Sequence, residues 1–150
     1  CSAISELAHS NNEIHFIFPV HLNPNVQVPV YKILKDIANV SLIPPQDYLP
    51  FIYLMKKAYI ILTDSGGVQE EAPSLGKPVL VMRDNTERPE GIDAGTSILV
   101  GTSIRTIKKE IESLIRNKNY YKKVCMVKNP YGDGRASQKI YDIISSKLIQ

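Results

Sequence analysis

Ile60-Ile61-Leu62-Thr63-Asp64-Ser65-Gly66-Gly67-Val68-Gln69-Glu70-Glu71-Ala72-Pro73-Ser74-Leu75-Gly76-Lys77-Pro78-Val79-Leu80-Val81-Met82 decides how this chain folds. An apolar run, Tyr59 to Leu62, ends in Thr63-Asp64-Ser65. Two glycines follow, then Val68 to Leu75 with helix-like composition, then Gly76 as a helix stop. Pro78 leads into a second apolar run, Val79 to Met82. The order is strand, tight polar turn, helix, strand. Gly66 and Gly67 carry no Cβ, so a ligand can come close to the backbone. A helix opening there presents unpaired N–H groups and a partial positive charge. Ser65 adds a hydroxyl that can cap the helix or touch a phosphate oxygen. Together these residues make an anion site suited to phosphate or diphosphate. Glu71 lies about one helical turn further on; its carboxylate would repel phosphate but suits the paired hydroxyls of a ribose. The same residues would also serve an ordinary βα turn in which the glycines only permit a tight bend, and Ser-Gly-Gly alone does not separate the two readings.

Outward from this unit, strands and helices alternate. Upstream, residues 3–9 read as the last turns of a helix, and Ser10-Asn11-Asn12 as a turn. Ile14 to Phe18 reads as a strand, with His15 a strand side chain. Pro19 to Asn25, with two prolines and two asparagines, marks a loop. Val30, Ile33, Leu34, Ile37 and Ala38 fall at helical spacing. Val40 to Ile43 is another short strand, followed by Pro44-Pro45. Tyr48 to Ala58 is helical and so apolar that most of it is expected to be buried. Downstream, Arg83 to Gly95 is a long polar connection of the kind that carries binding groups, with Arg88 a partner for phosphate or carboxylate. Ile98 to Val100 is a fifth strand. Ile104, Ile107, Ile111, Leu114 and Ile115 define a helix, Asn117 to Asn129 holds a second short one, and Asn129 to Gly134 is a strong turn. A last helix, about 135–149, repeats Ile140, Ile143, Ile144 and Leu148 on one face.

Short apolar strands alternating with helices predict an α/β fold, a Rossmann-like doubly wound parallel sheet with helices on both faces. In such sheets ligands bind outside the carboxyl ends of the strands. His21, Pro44 to Asp47, Ser65 to Gly67 and the Arg83–Gly95 connection all follow strands. Their convergence on one edge favours the phosphate reading of the turn.

Composition narrows the class. The chain has 150 residues, enough for one domain, and 43% are hydrophobic, enough for a core. The net charge of +3 without a long basic stripe gives nucleic-acid binding no electrostatic support. No stretch reaches transmembrane length and no signal peptide is visible. Cys1 and Cys125 form no disulfide framework and fit a reducing cytoplasm. His9, His15 and His21 do not fall in a zinc pattern. No metal site is expected.

The stretch from Thr63 through Glu90 resembles the core of the non-hydrolysing UDP-N-acetylglucosamine 2-epimerases of bacteria. Pro19 to Asn25, Pro45 to Phe51 and Asn129 to Arg135 match further blocks of that family. The resemblance runs almost end to end. It implies the C-terminal half of a two-domain glycosyltransferase-B type fold, without the domain's first strand, which normally sits near mid-sheet. It implies an interconversion of UDP-GlcNAc and UDP-ManNAc, by elimination of UDP to a 2-acetamidoglucal and its return with inversion at C2, without NAD or metal. ManNAc units for bacterial surface polysaccharide would be the product's use. By the same resemblance Ser65, Gly66 and Gly67 hold the diphosphate, Glu71 the ribose, Gln46 and Phe51 the uracil end, and Arg88 the nucleotide. His21 is a candidate for a regulatory subsite where a second UDP-GlcNAc binds. The family's acid and base carboxylates lie in an N-terminal domain, so no catalytic residue is assigned here, and the 150 residues alone are expected to be inactive. The final helix is expected to pack toward that domain, and the full-length enzyme to be a homodimer. Alternatives within the same sequence are the hydrolysing epimerase that releases free ManNAc, a non-catalytic nucleotide-sugar-binding module, and a glycosyltransferase of the same fold.

Overall fold

The computed structural model describes residues 1–148. Five parallel strands lie in two hydrogen-bonded groups: β1 (Phe16–Pro19) with β2 (Val40–Ile43), and β3 (Ile61–Thr63), β4 (Val79–Val81) and β5 (Ser97–Leu99) in that order. Eight helices accompany them: α1 (Ser2–Ser10), α2 (Pro24–Leu34), α3 (Tyr48–Lys57), α4 (Gly66–Glu71), α5 (Pro89–Ala94), α6 (Ile104–Arg116), α7 (Lys118–Cys125) and α8 (Ala136–Leu148). Position 149, expected to close the final helix, lies outside the described residues. The parallel α/β architecture is the one read from the sequence.

β4 is the middle of the larger group, and alternation along it explains the two-sided core. Leu80 points into a cluster with Leu7 of α1, Val100 just beyond β5, Ile107, Ile111 and Leu114 of α6, and Val124 of α7. Val79 and Val81 point the other way, to Met55 of α3, Ile61 of β3 and Ala72 just beyond α4. All three β4 side chains are fully buried. α6 shows how the sequence chooses its face: Ile107, Ile111 and Leu114 are buried at 3.6-residue spacing while its charges face outward.

A third cluster, Ala8, Val20, Val30, Leu34 and Val40, belongs to β1–β2 with α1 and α2. α1 joins the two groups, with Ala3 and Leu7 in the first cluster and Ala8 in the third. Phe16 packs against both. No ladder connects β1 to β3 among the described residues. Asn39 adds a polar clamp, its amide donating to the carbonyls of Ala8, Asn11 and Ile14 at 3.1, 3.1 and 2.8 Å. Ile17 is 51% exposed opposite Ser41, so helical cover over this smaller group is less complete.

Three local expectations differ from the structure. α2 begins at Pro24, inside the stretch read as a loop, and ends at Leu34. The Asn23 side chain accepts the Asn25 N–H at 2.9 Å, and Pro24 sits at the first helical position, where its missing N–H costs nothing. Ile37 still packs on the third cluster, but from a turn in which its N–H bonds to the Leu34 carbonyl at 3.3 Å. α3 is not largely buried: only Met55 is, while Tyr48, Leu49 and Tyr53 are exposed. The polar connection after β4 is not all loop, since its second half is α5, stopped by Gly95 at φ 81°.

Candidate functional site

The turn after β3 is built from its own side chains. The Thr63 hydroxyl accepts the Ser65 N–H at 3.1 Å, bending the chain out of the strand. α4 opens at Gly66 and passes directly into a 3₁₀ turn, Ala72–Leu75, closed by Gly76 at φ 64°. Gly76 is therefore the helix stop its position predicts. The first turn of α4 has no side-chain cap, so the Ser65 hydroxyl is not spent on the helix.

Backbone angles and packing bear on the two readings of Gly66-Gly67. Neither glycine has a positive φ, whereas Gly76, Gly95, Gly101, Gly132 and Gly134 do. A tight bend therefore does not require glycine at 66 or 67. A Cβ built on Gly67 meets nothing nearer than the Ser65 Oγ at 3.9 Å, so packing does not require it either. What a bare backbone leaves there is open approach to the N–H groups of a helix start. Over Gly66 the space is taken by mobile side-chain ends: a Cβ would lie 2.9 Å from Glu87 Oε1 and 3.9 Å from Arg88 Nη2.

Arg88 is thus brought beside Gly66. Its Nε donates to Glu70 of α4, and that bond, ahead of the ion-pair attraction, raises its already high pKa. Arg83 Nη1 donates to Glu87 Oε2 at 2.6 Å. The Glu87 carboxyl is held below its ordinary pKa, first by its own backbone N–H and then by Arg83 and Arg88. The loop carrying these groups is clamped to α4. The Thr86 hydroxyl donates to Gln69 Oε1 at 2.7 Å, Gln69 is fully buried, and its amide donates to the Ser65 carbonyl at 3.2 Å.

The other predicted residues make no side-chain hydrogen bond to the turn. Glu71 is exposed, four residues along α4 from Gly67 and hence on its face. Phe51 packs half-buried against the cluster that holds Ala72 and Val81. The Gln46 amide donates to the Pro44 carbonyl at 2.7 Å, holding the approach to α3. His21 is exposed after β1, and its Nδ1 accepts the Asn23 N–H at 3.1 Å. With Nδ1 accepting, a neutral ring carries its proton on Nε2.

Sequence reasoning did not find the role of the turn after α7. The Tyr131 hydroxyl accepts the Gly91 N–H at 2.9 Å and donates to the Arg88 carbonyl at 3.2 Å. The Asn129 amide donates to Ser74 Oγ at 2.6 Å. This turn therefore pins both the Arg88 loop and the far end of the α4 segment. Burial pushes the Tyr131 pKa up, so the hydroxyl keeps its proton at neutral pH. Among the described residues no cluster of His, Cys, Asp and Glu could hold a metal ion, and no helix is long and apolar enough to cross a membrane.

Comparison with known proteins agrees with this geometry. A family model described as UDP-N-acetylglucosamine 2-epimerase matches residues 1–145. The UDP-N-acetylglucosamine 2-epimerase of Yersinia pestis is 59% identical over 149 residues, 99% of this chain and 40% of its own length. The crystal structure of the Neisseria meningitidis UDP-GlcNAc 2-epimerase bound to UDP-GlcNAc aligns with TM-score 0.88 and 52% identity, over 96% of this chain and 40% of that one. The S. aureus MnaA–UDP co-structure aligns with TM-score 0.91 and 42% identity, over 97% of this chain and 40% of that one. The chain spans about 40% of the length of the relatives it matches. A Rossmann-like parallel sheet, an uncapped Ser-Gly-Gly turn with an arginine over it, and identity running from end to end agree: the chain belongs to the UDP-N-acetylglucosamine 2-epimerase family.

Proposed function

We propose that this chain is the UDP-holding part of an enzyme that interconverts UDP-GlcNAc and UDP-ManNAc without net hydrolysis. The observation that carries the reading is the glycine at 67. Neither the backbone angles nor the packing asks for glycine at 67, so the bare backbone is there for something the chain itself does not supply. The N–H groups at the start of α4, the free Ser65 hydroxyl and Arg88 suit a diphosphate. Glu71 suits the ribose hydroxyls, and Gln46 with Phe51 the uracil. His21, exposed after β1, is assigned to a subsite for a second nucleotide sugar.

The chemistry asks three things of this part. As the C1–O bond breaks and the C2 proton leaves, UDP carries off the bonding pair and the sugar becomes a 2-acetamidoglucal. The turn must stabilise the added charge on the β-phosphate, keep UDP from diffusing away, and return it to C1. The carboxylates that move the C2 proton belong to the remainder of the full-length enzyme, so the 150 residues alone do not turn over. α8 has no buried residue and exposes Ile140, Ile143, Ile144 and Leu148; we assign that side to contact with the remaining domain. The full-length enzyme is proposed to be a cytoplasmic homodimer supplying ManNAc for surface polysaccharide.

Calorimetric titration with UDP tests the site. Ser65→Ala and Glu71→Ala should each weaken binding by about 1–3 kcal/mol. Unchanged affinity in both removes the assignment. A turnover assay in which the purified chain interconverts the two sugars would remove the division of labour.

A further inference from the structure

The Glu87 carboxylate lies where the proposed diphosphate would come closest to the backbone, within van der Waals reach of Gly66. A Cβ on Gly66 would be 2.9 Å from its Oε1, well inside any real carbon contact. Its other oxygen is held by Arg83 at 2.6 Å, and the Arg88 guanidinium lies on the same side of Gly66. Arg88 is in turn paired with Glu70. Two cations and two carboxylates thus alternate over the turn, Arg83, Glu87, Arg88 and Glu70, and their charges cancel. Such a cluster offers an incoming diphosphate no net attraction while Glu87 stays in it, and like charges in close contact repel.

Resting on the UDP reading above, we propose that Glu87 is a resident stand-in for the diphosphate. In the free protein its carboxylate fills the anion position over Gly66. Nucleotide binding expels it, and Arg83 passes from the Glu87 carboxylate to phosphate beside Arg88, which stays paired with Glu70. The residue is free to move: its side chain is 52% exposed, and α4 is gripped by its neighbours Thr86 and Arg88 rather than by Glu87 itself. The stand-in holds Arg83 beside the turn and sets a threshold that only a ligand with more negative charge than one carboxylate can cross. Glu87 is therefore a positioning and specificity-setting residue, not a catalytic one.

The test is titration of the wild-type chain and of Glu87→Gln with UDP, beside a melting curve of each. Glu87→Gln keeps the shape and removes the charge, so the fold should hold, with Tm unchanged. UDP affinity should rise roughly tenfold, the size of one like-charge contact relieved in a partly wet site. A role in merely supporting Arg83 would move affinity the other way. Equal or weaker binding by Glu87→Gln, with wild type binding UDP, overturns this proposal and leaves the UDP site standing. Binding by the variant alone supports it. Binding by neither overturns both.

Discussion

Gly67→Ala separates a ligand-driven glycine from a fold-driven one. The added methyl meets only the Ser65 Oγ at 3.9 Å, an ordinary contact, and the backbone already has a φ that alanine adopts. The substitution lies in the first turn of α4. Alanine for glycine at such a place should stabilise the folded chain by about 0.4–1 kcal/mol, chiefly by restricting the unfolded state. For a chain of this size that raises Tm by about 1–4 °C. UDP binding should move the opposite way. A methyl over the helix start blocks phosphate approach, and losing one N–H to phosphate bond costs about 1.5–3 kcal/mol, roughly 10- to 150-fold in affinity. Thermal melts by circular dichroism and calorimetric titration read the two effects on one sample. A variant that melts lower, or that binds UDP as tightly as wild type, refutes the reasoning. The contrast is Gly76→Ala, where φ is 64° and alanine should destabilise by about 1–2 kcal/mol without touching the turn.

Arg88→Ala should leave Tm almost unchanged, because the Arg88–Glu70 pair is more than a third exposed on both sides, yet weaken UDP binding; a large fall in Tm would contradict this. Tyr131→Phe removes an acceptor from the Gly91 N–H and a donor from the Arg88 carbonyl, and should cost about 1–3 kcal/mol in denaturant melts. Gly91→Ala should be worse than Gly67→Ala, since its Cβ would lie 2.7 Å from the Tyr131 hydroxyl and 3.3 Å from Ser97 Oγ; equal melting temperatures for the two variants would count against that. The Tyr120 hydroxyl donates to Glu110 at 2.6 Å, and burial, then this bond, push its pKa up to about 12. The folded state holds that proton after the unfolded chain has lost it. Stability should therefore be intact below about pH 10 and decline from there toward pH 12, a slope that Tyr120→Phe should reduce.

Parts of this were legible because sequence and physics coincide locally. The β3–turn–α4–β4 unit carries its own signals: an apolar run, Ser-Gly-Gly, a helical stretch and a stop glycine. α6 is legible because one buried stripe alternates with charge. α2 was obscured because Ile37 reaches the core from a turn, which mimics one more helical step. Pro24, read as a breaker, is a starter. The exposure of α3 was not legible because hydrophobic content says nothing about whether a neighbour covers it. At the candidate site, Ser65, Gly66, Gly67 and Arg88 are marked out by their position after strands, and the structure brings Arg88 beside Gly66. Glu87 over Gly66 is not so marked, nor is Tyr131, whose hydroxyl joins residues 43 apart in the chain. Such meetings depend on how loops fold back, and local composition does not encode them.

The division of the strands into two groups has a further meaning. α1 and Phe16 join the two strand groups through side chains, while no ladder links them among the described residues, so β1 and β3 each keep an edge without a strand partner. Unpaired edges are templates for any extended peptide that can slide alongside. Produced by itself, the chain would carry this invitation into solution, and strand-to-strand self-association, not loss of its helices, is the failure to which its architecture exposes it.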